Sequence, residues 1–122
     1  HILSGADHLL FLLLLVLAMR HWRPVLLAET AFTLSHSLSF AATALGWVQV
    51  AAPAAEACIA LSLLLMALEV ERPAAPPLPP ARGAGLALVF GLVHGLGFAG
   101  GLSEVGLPEQ AAAWALLGFG TG

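Results

Sequence analysis

An aspartate and a histidine, Asp7 and His8, stand side by side at the mouth of an almost unbroken apolar run over residues 9–19. Together with residues 1–8, the stretch is long enough at ~1.5 Å per residue to cross the ~30 Å hydrocarbon core of a bilayer as a helix. Ionisable groups are costly in lipid, and those found there face a bundle interior or a water-filled cavity. The run therefore constrains the chain twice. It must be a membrane helix, and its opening turns must direct polar side chains inward.

Four more apolar segments follow, separated by turn or charge signals, with spans expected at about 1–19, 25–46, 54–70, 84–102 and 109–122. Hydrophobic residues make up 60% and charged residues 9%, against roughly 25% charged in soluble domains. Long apolar runs, not alternating ten-residue strands, carry this hydrophobicity, which favours helices over an outer-membrane barrel. The expected fold is thus all-α: a polytopic transmembrane helical bundle of about five spans, forming a single transmembrane domain over 1–122. More spans are expected in the full protein, because the chain opens on His1 and its last segment stops mid-helix. The first stretch lacks the basic region and Ala-x-Ala site of a signal peptide and reads as a mature span. One cysteine, Cys58, excludes an internal disulfide framework, and the lack of basic runs argues against a nucleic-acid partner. Between 71 and 83 the linker carries five prolines and is expected to be non-helical.

All four cationic side chains, Arg20, Arg23, Arg72 and Arg82, fall in the first and third loops. Alternation of spans puts those loops on one side, which the positive-inside rule makes cytoplasmic. The arginines then serve as a depth gauge. His8, His36 and His94 lie 12, 13 and 12 residues from Arg20, Arg23 and Arg82, or roughly 18 to 20 Å from the inner interface. Three imidazoles from three spans are expected at one level, slightly outside the midplane. Cys58 comes out near ~21 Å and His1 near ~28 Å, at the outer surface.

Helical spacing gathers the polar groups further. On the first span, positions 1, 4, 8 and 11 share a face with 7 beside 8, so His1, Ser4, Asp7 and His8 are expected to point into the bundle. On the second, the expected stripe is Glu29, Thr33, His36, Phe40 and Thr43, flanked by Ser35, Ser37 and Ser39. The third offers Cys58, Ser62 and Glu69 on one face and Glu56 on another. On the fourth, His94 lies among Gly91/Gly95 and Gly97/Gly101, small-x-x-x-small pairs that permit close helix approach. Imidazoles with a carboxylate suit Ni2+, Zn2+, Co2+ or Cu2+, whereas Mg2+ and Ca2+ prefer oxygen shells. Asp7 fits as a ligand or as an acceptor that orients a histidine.

Blander roles compete. A lone membrane histidine can simply bond a neighbouring helix, and three at one depth beside Asp7 are what favour a shared site. His21, among arginines, reads as an interfacial anchor, and Cys58 as a small apolar filler. Glu56, Glu69, Glu104 and Glu109 lie near helix ends and are expected to be solvated. Serines and threonines of the second span are expected to bond between helices, and the glycines of the fourth to serve packing.

The motifs His1-Ile2-Leu3-Ser4-Gly5-Ala6-Asp7-His8-Leu9-Leu10-Phe11, Phe32-Thr33-Leu34-Ser35-His36-Ser37-Leu38-Ser39 and Phe90-Gly91-Leu92-Val93-His94-Gly95-Leu96-Gly97-Phe98-Ala99 resemble the HupE/UreJ family of hydrogenase and urease accessory membrane proteins. The likeness covers nearly the whole chain. It looks closest to the branch with Ile-Leu after the first histidine. The other branch begins with His-Pro and is regarded as nickel or cobalt permeases, with the first-helix His and Asp-His taken as the metal-selecting motif. Ile2 stands here where that branch has Pro. The resemblance implies His1, Asp7 and His8 as metal-handling groups, and His36 and His94 match further family histidines.

From residues and resemblance together, the expected protein is a carrier rather than an enzyme, in a bacterial inner membrane, that binds and passes a divalent transition metal ion. Ni2+ is favoured, with Zn2+, Co2+ and Cu2+ as alternatives. His1 would capture the ion at the outer mouth, Asp7, His8, His36 and His94 would hold it, and Glu29 and Thr33 would line the exit. Expected partners are the lipid bilayer and the metal ion, with a second copy of the chain or metalloenzyme maturation proteins as further candidates. Two rival readings stand beside it: an intramembrane zinc hydrolase, and a structural or metallocentre-assembly subunit.

Overall fold

The computed structural model describes residues 5–72 and 76–104, of which 98–104 as backbone alone. His1, Ser4 and the span expected at 109–122 lie outside the described residues. Four helices follow in order: α1 (Ala6–Met19), α2 (Trp22–Ala44), α3 (Ala52–Val70) and α4 (Pro80–Glu104). No strand occurs among the described residues.

The span count differs from expectation. Among the described residues two helices, α2 and α3, are long and apolar enough to cross a membrane, not about five. Over its described length α1 is apolar but has 14 residues, about 21 Å and short of a full crossing. The segment expected at 84–102 lies within α4, whose side chains are described only as far as Gly97.

Three helices start before the boundaries read from the sequence, and proline is the reason. Pro24 lies in the first turn of α2, Pro53 at the start of α3, and Pro80 opens α4. First-turn N–H groups have no intrahelical acceptor, so a missing N–H costs nothing there and the fixed φ is already helical. Between α1 and α2 the chain reverses in two residues. Arg20 takes a left-handed conformation (φ 58°) and returns its N–H to Val16 O at 3.1 Å, a helix-ending geometry more usual for glycine.

The core gathers Phe11, Leu15, Ala18 and Met19 of α1, Ala28 and Phe32 of α2, Met66 of α3, and Ala87 and Phe90 of α4. One linker residue joins it: Leu78 is buried and donates its N–H to Ala18 O at 3.0 Å. Leu9, Leu13, Leu17, Leu26, Leu34, Leu38, Leu61 and Leu65 face outward. Such an apolar exterior suits hydrocarbon as the surrounding solvent.

Of all helix pairs, α2 and α4 pack most extensively. A Cβ on Gly91 would collide with Ser35 Oγ and Phe32 O, and one on Gly95 with Ser39 Oγ and His36 O. Small residues thus let the two backbones meet. This contact sets the rotation of α2. Its buried row is Ala28, Phe32, Ser35 and Ser39, with Phe40 beside it, one residue round from the stripe expected at Glu29, Thr33, His36 and Phe40. Thr33 is exposed, while Glu29 and His36 are half-buried at the flank. Nor do the hydroxyls bridge helices as expected. Ser35 donates to Phe32 O (3.0 Å), Ser39 to His36 O (3.1 Å) and Thr43 to Ser39 O (3.0 Å), satisfying themselves on their own turn.

On α3 the buried row is Ala55, Ile59, Ser62 and Met66, so Cys58 points outward and is not the core filler expected. Glu69 is not simply solvated either: its carboxylate lies 3.6 Å from Arg72 and 3.8 Å from Arg82. Arg20, Glu69 and Arg72 line one small pocket beside Pro76, Pro77 and Leu78, which puts the first and third connections at the same end of the bundle.

Candidate functional site

Away from that arginine end, α1, α2 and α4 bring four ionisable side chains together. Asp7 lies in the first turn of α1 and is buried, although nothing charged and cationic neighbours it in sequence. Burial of a carboxylate demands a partner, and it has one within hydrogen-bond reach and a second imidazole close by. Its Oδ1 accepts from His8 Nδ1 at 3.1 Å, and its Oδ2 lies 4.0 Å from His94 Nδ1. Asp7, His8 and His94 each offer one donor atom, all within 4.8 Å of one another. First-row metal ions bind such donors at ~2.0–2.2 Å, so closing on one ion asks for side-chain rotation. His8, with its side chain 31% exposed, is the member with room to rotate.

His36 stands beside this cluster. Its ring centroid is 5.0 Å from that of His8, and His8 is 5.3 Å from His94, both pairs edge-on. The His36 Nδ1 atom is buried without a hydrogen-bond partner, as are His94 Nδ1 and Glu29 Oε2. Unpaired buried polar atoms are uncommon; here His94 belongs to the cluster, and His36 and Glu29 to the cavity beside it. Of the residues read from the sequence as metal-handling, the structure assembles Asp7, His8 and His94, sets His36 next to them, and leaves His1 outside the described residues.

Toward the arginine end the cluster rests on aromatic rings. Phe11 stacks on Phe32 with centroids 4.8 Å apart and meets Phe90 edge-on at 5.8 Å. Phe11 and Phe32 also pack on His94, at 5.7 Å and 5.2 Å. All three phenylalanines are buried, so the direct line from the cluster to the arginine end is closed by packed rings. A lateral opening exists instead. A cavity of about 230 Å³ between α1 and α2 is lined by His8, Phe11, Glu29, Phe32, Thr33 and His36. His8 belongs to both the cluster and this cavity.

One polar partner was not anticipated as part of the site. Ser62 of α3 lies 2.9 Å from His94 Nε2 and donates to Ile59 O at 2.7 Å. A signal for it existed: Ser62 is ten residues from Arg72, roughly 15 Å in depth, within one turn of the level counted for His94. The aromatic floor was legible only as isolated phenylalanines, because the three come from three helices.

A model of the family described as HupE / UreJ protein matches residues 1–122, the whole chain. No curated protein and no solved structure matches it.

Proposed function

The chain belongs to the HupE/UreJ family of membrane proteins, and from that premise we propose that it binds a divalent transition metal ion at Asp7, His8 and His94 and passes it across the membrane. The observation that carries this reading is one buried carboxylate hydrogen-bonded to His8 with a second imidazole, His94, presenting an unpartnered Nδ1 4.0 Å away. A carboxylate with imidazoles is a donor set for Ni2+, Co2+, Zn2+ or Cu2+. Ni2+ is the favoured cargo, given the association of the family with nickel and cobalt handling.

In this mechanism the ion arrives from the end opposite the arginines, with His1 as the capturing group at the outer mouth. Asp7 supplies the negative charge that offsets the loss of hydration, and His8 and His94 complete the donor set. Below them Phe11, Phe32 and Phe90 block straight passage. The ion leaves sideways: rotation of His8 carries it toward His36 and into the cavity where Glu29 and Thr33 lie. Glu29 then provides a second anionic stop on the way to the arginine end, which the charge bias assigns to the cytoplasm.

Calorimetric titration of the detergent-solubilised chain with Ni2+, Co2+, Zn2+ and Cu2+, paired with uptake into proteoliposomes, tests this. Saturable binding that is lost in His94→Ala, together with uptake of the same ion, supports it. If none of the four ions binds, the reading is wrong. Binding without uptake would favour a metallocentre-assembly role for the same site.

A further inference from the structure

The contact between α3 and His94 has a chemical direction. A serine hydroxyl has one proton and can also accept. Ser62 Oγ lies 2.7 Å from Ile59 O, a carbonyl that can only accept, so the hydroxyl proton is committed there. What remains on Oγ toward His94 is a lone pair, and the 2.9 Å contact to Nε2 is then Nε2–H donating to Ser62. The opposite arrangement would need Nδ1–H to find Asp7 Oδ2, which at 4.0 Å is beyond the ~3.2 Å reach of a hydrogen bond. Both side chains are buried, Ser62 at 2% and His94 at 1% exposure, so exchange with solvent does not blur the choice.

We propose that Ser62 is a positioning residue that holds His94 in its Nε2–H tautomer and thereby keeps Nδ1 as the donor atom facing Asp7 and His8. The inference rests on the metal-site reading above and deepens it. A ring nitrogen binds a metal through its lone pair, and which nitrogen carries that pair is set by the hydrogen bond made by the other. Helix α3 contributes no donor to the ion, yet it decides which atom of His94 is offered. The Ser62 hydroxyl is itself fixed by a backbone carbonyl one turn earlier, so the orientation is built into the helix.

Nitrogen-15 NMR of histidine-labelled, metal-free protein in detergent at about pH 8 tests this, since neutral imidazole dominates above its ordinary pKa of ~6.5. The expected His94 signature is a protonated Nε2 and an unprotonated Nδ1. Ser62→Ala should populate both tautomers and weaken Ni2+ binding about 10–100-fold, the usual effect of losing a ligand's orienting partner. Ser62→Thr, which keeps the hydroxyl, should restore the tautomer and bring affinity back to within a few-fold. A wild-type His94 protonated at Nδ1 would overturn the proposal, as would Ser62→Ala binding Ni2+ as tightly as wild type. If a variant fails to fold, the wild-type spectrum alone still decides. Failure of wild type to bind any ion would remove the metal reading, while the tautomer measurement would still report on Ser62.

Discussion

Gly95 of α4 lies so close to His36 of α2 that a Cβ there would collide with the His36 carbonyl oxygen. The residue that permits this approach is next in sequence to His94, so one helix contact positions two imidazoles. Gly95→Ala should push α2 and α4 apart, lowering stability by about 1–3 kcal/mol as overpacking does and weakening metal binding with it. Gly85→Ala is the control, because a Cβ there meets nothing within 4 Å. It should be neutral or stabilising by up to ~1 kcal/mol through helix propensity alone. Thermal unfolding of the two variants in detergent distinguishes them.

Asp7→Asn keeps the size of the side chain and its acceptor toward His8 but removes the charge. Affinity for divalent ions should fall at least about tenfold, with the helical circular dichroism unchanged. Equal binding in wild type and Asp7→Asn, measured calorimetrically, would mean that the carboxylate is structural.

Glu29 lies in the lateral cavity and outside the Asp7, His8 and His94 cluster. Glu29→Gln should therefore slow uptake into proteoliposomes several-fold while equilibrium binding stays within about twofold. A loss of binding as large as the loss of uptake would place Glu29 in the primary site instead.

Metal removal should leave the bundle folded. The core of Leu15, Met19, Met66, Ala87 and Phe90 lies on the arginine side of the cluster and owes nothing to an ion. Chelator should lower the unfolding free energy only by the linkage term, about 2.7 kcal/mol for an ion present at 100 times its Kd. Collapse of the helical signal on chelation would instead identify a structural metal.

Much of this architecture was readable from residue order. Apolar runs and their arginine flanks locate the helices, and the depth count puts His8, His36 and His94 at a common level, as their ring contacts do. Rotation about the helix axis was less legible. The spacing Glu29, Thr33, His36, Phe40 is as regular as Ala28, Phe32, Ser35, Ser39, yet the second row is buried throughout and the first only at Phe40. Periodicity reports that a helix has an inner face, but adjacent rows differ by ~100° and a run this apolar marks neither strongly.

What the sequence determined alone, then, is where the apolar helices lie to within a few residues, that His8, His36 and His94 are spaced alike from their flanking arginines, and that Asp7 must be answered by something polar. Those are properties of one segment and its solvent, set by rise per residue and by the cost of charge in hydrocarbon. Tertiary structure decided the rest: that Asp7 bonds His8 and lies near His94, that Ser62 takes the far nitrogen of His94, and that three phenylalanines close the floor. Each depends on where Gly91 and Gly95 let α4 meet α2. Contacts between helices are fixed by side-chain volume at a crossing point, and no spacing within a single helix records it.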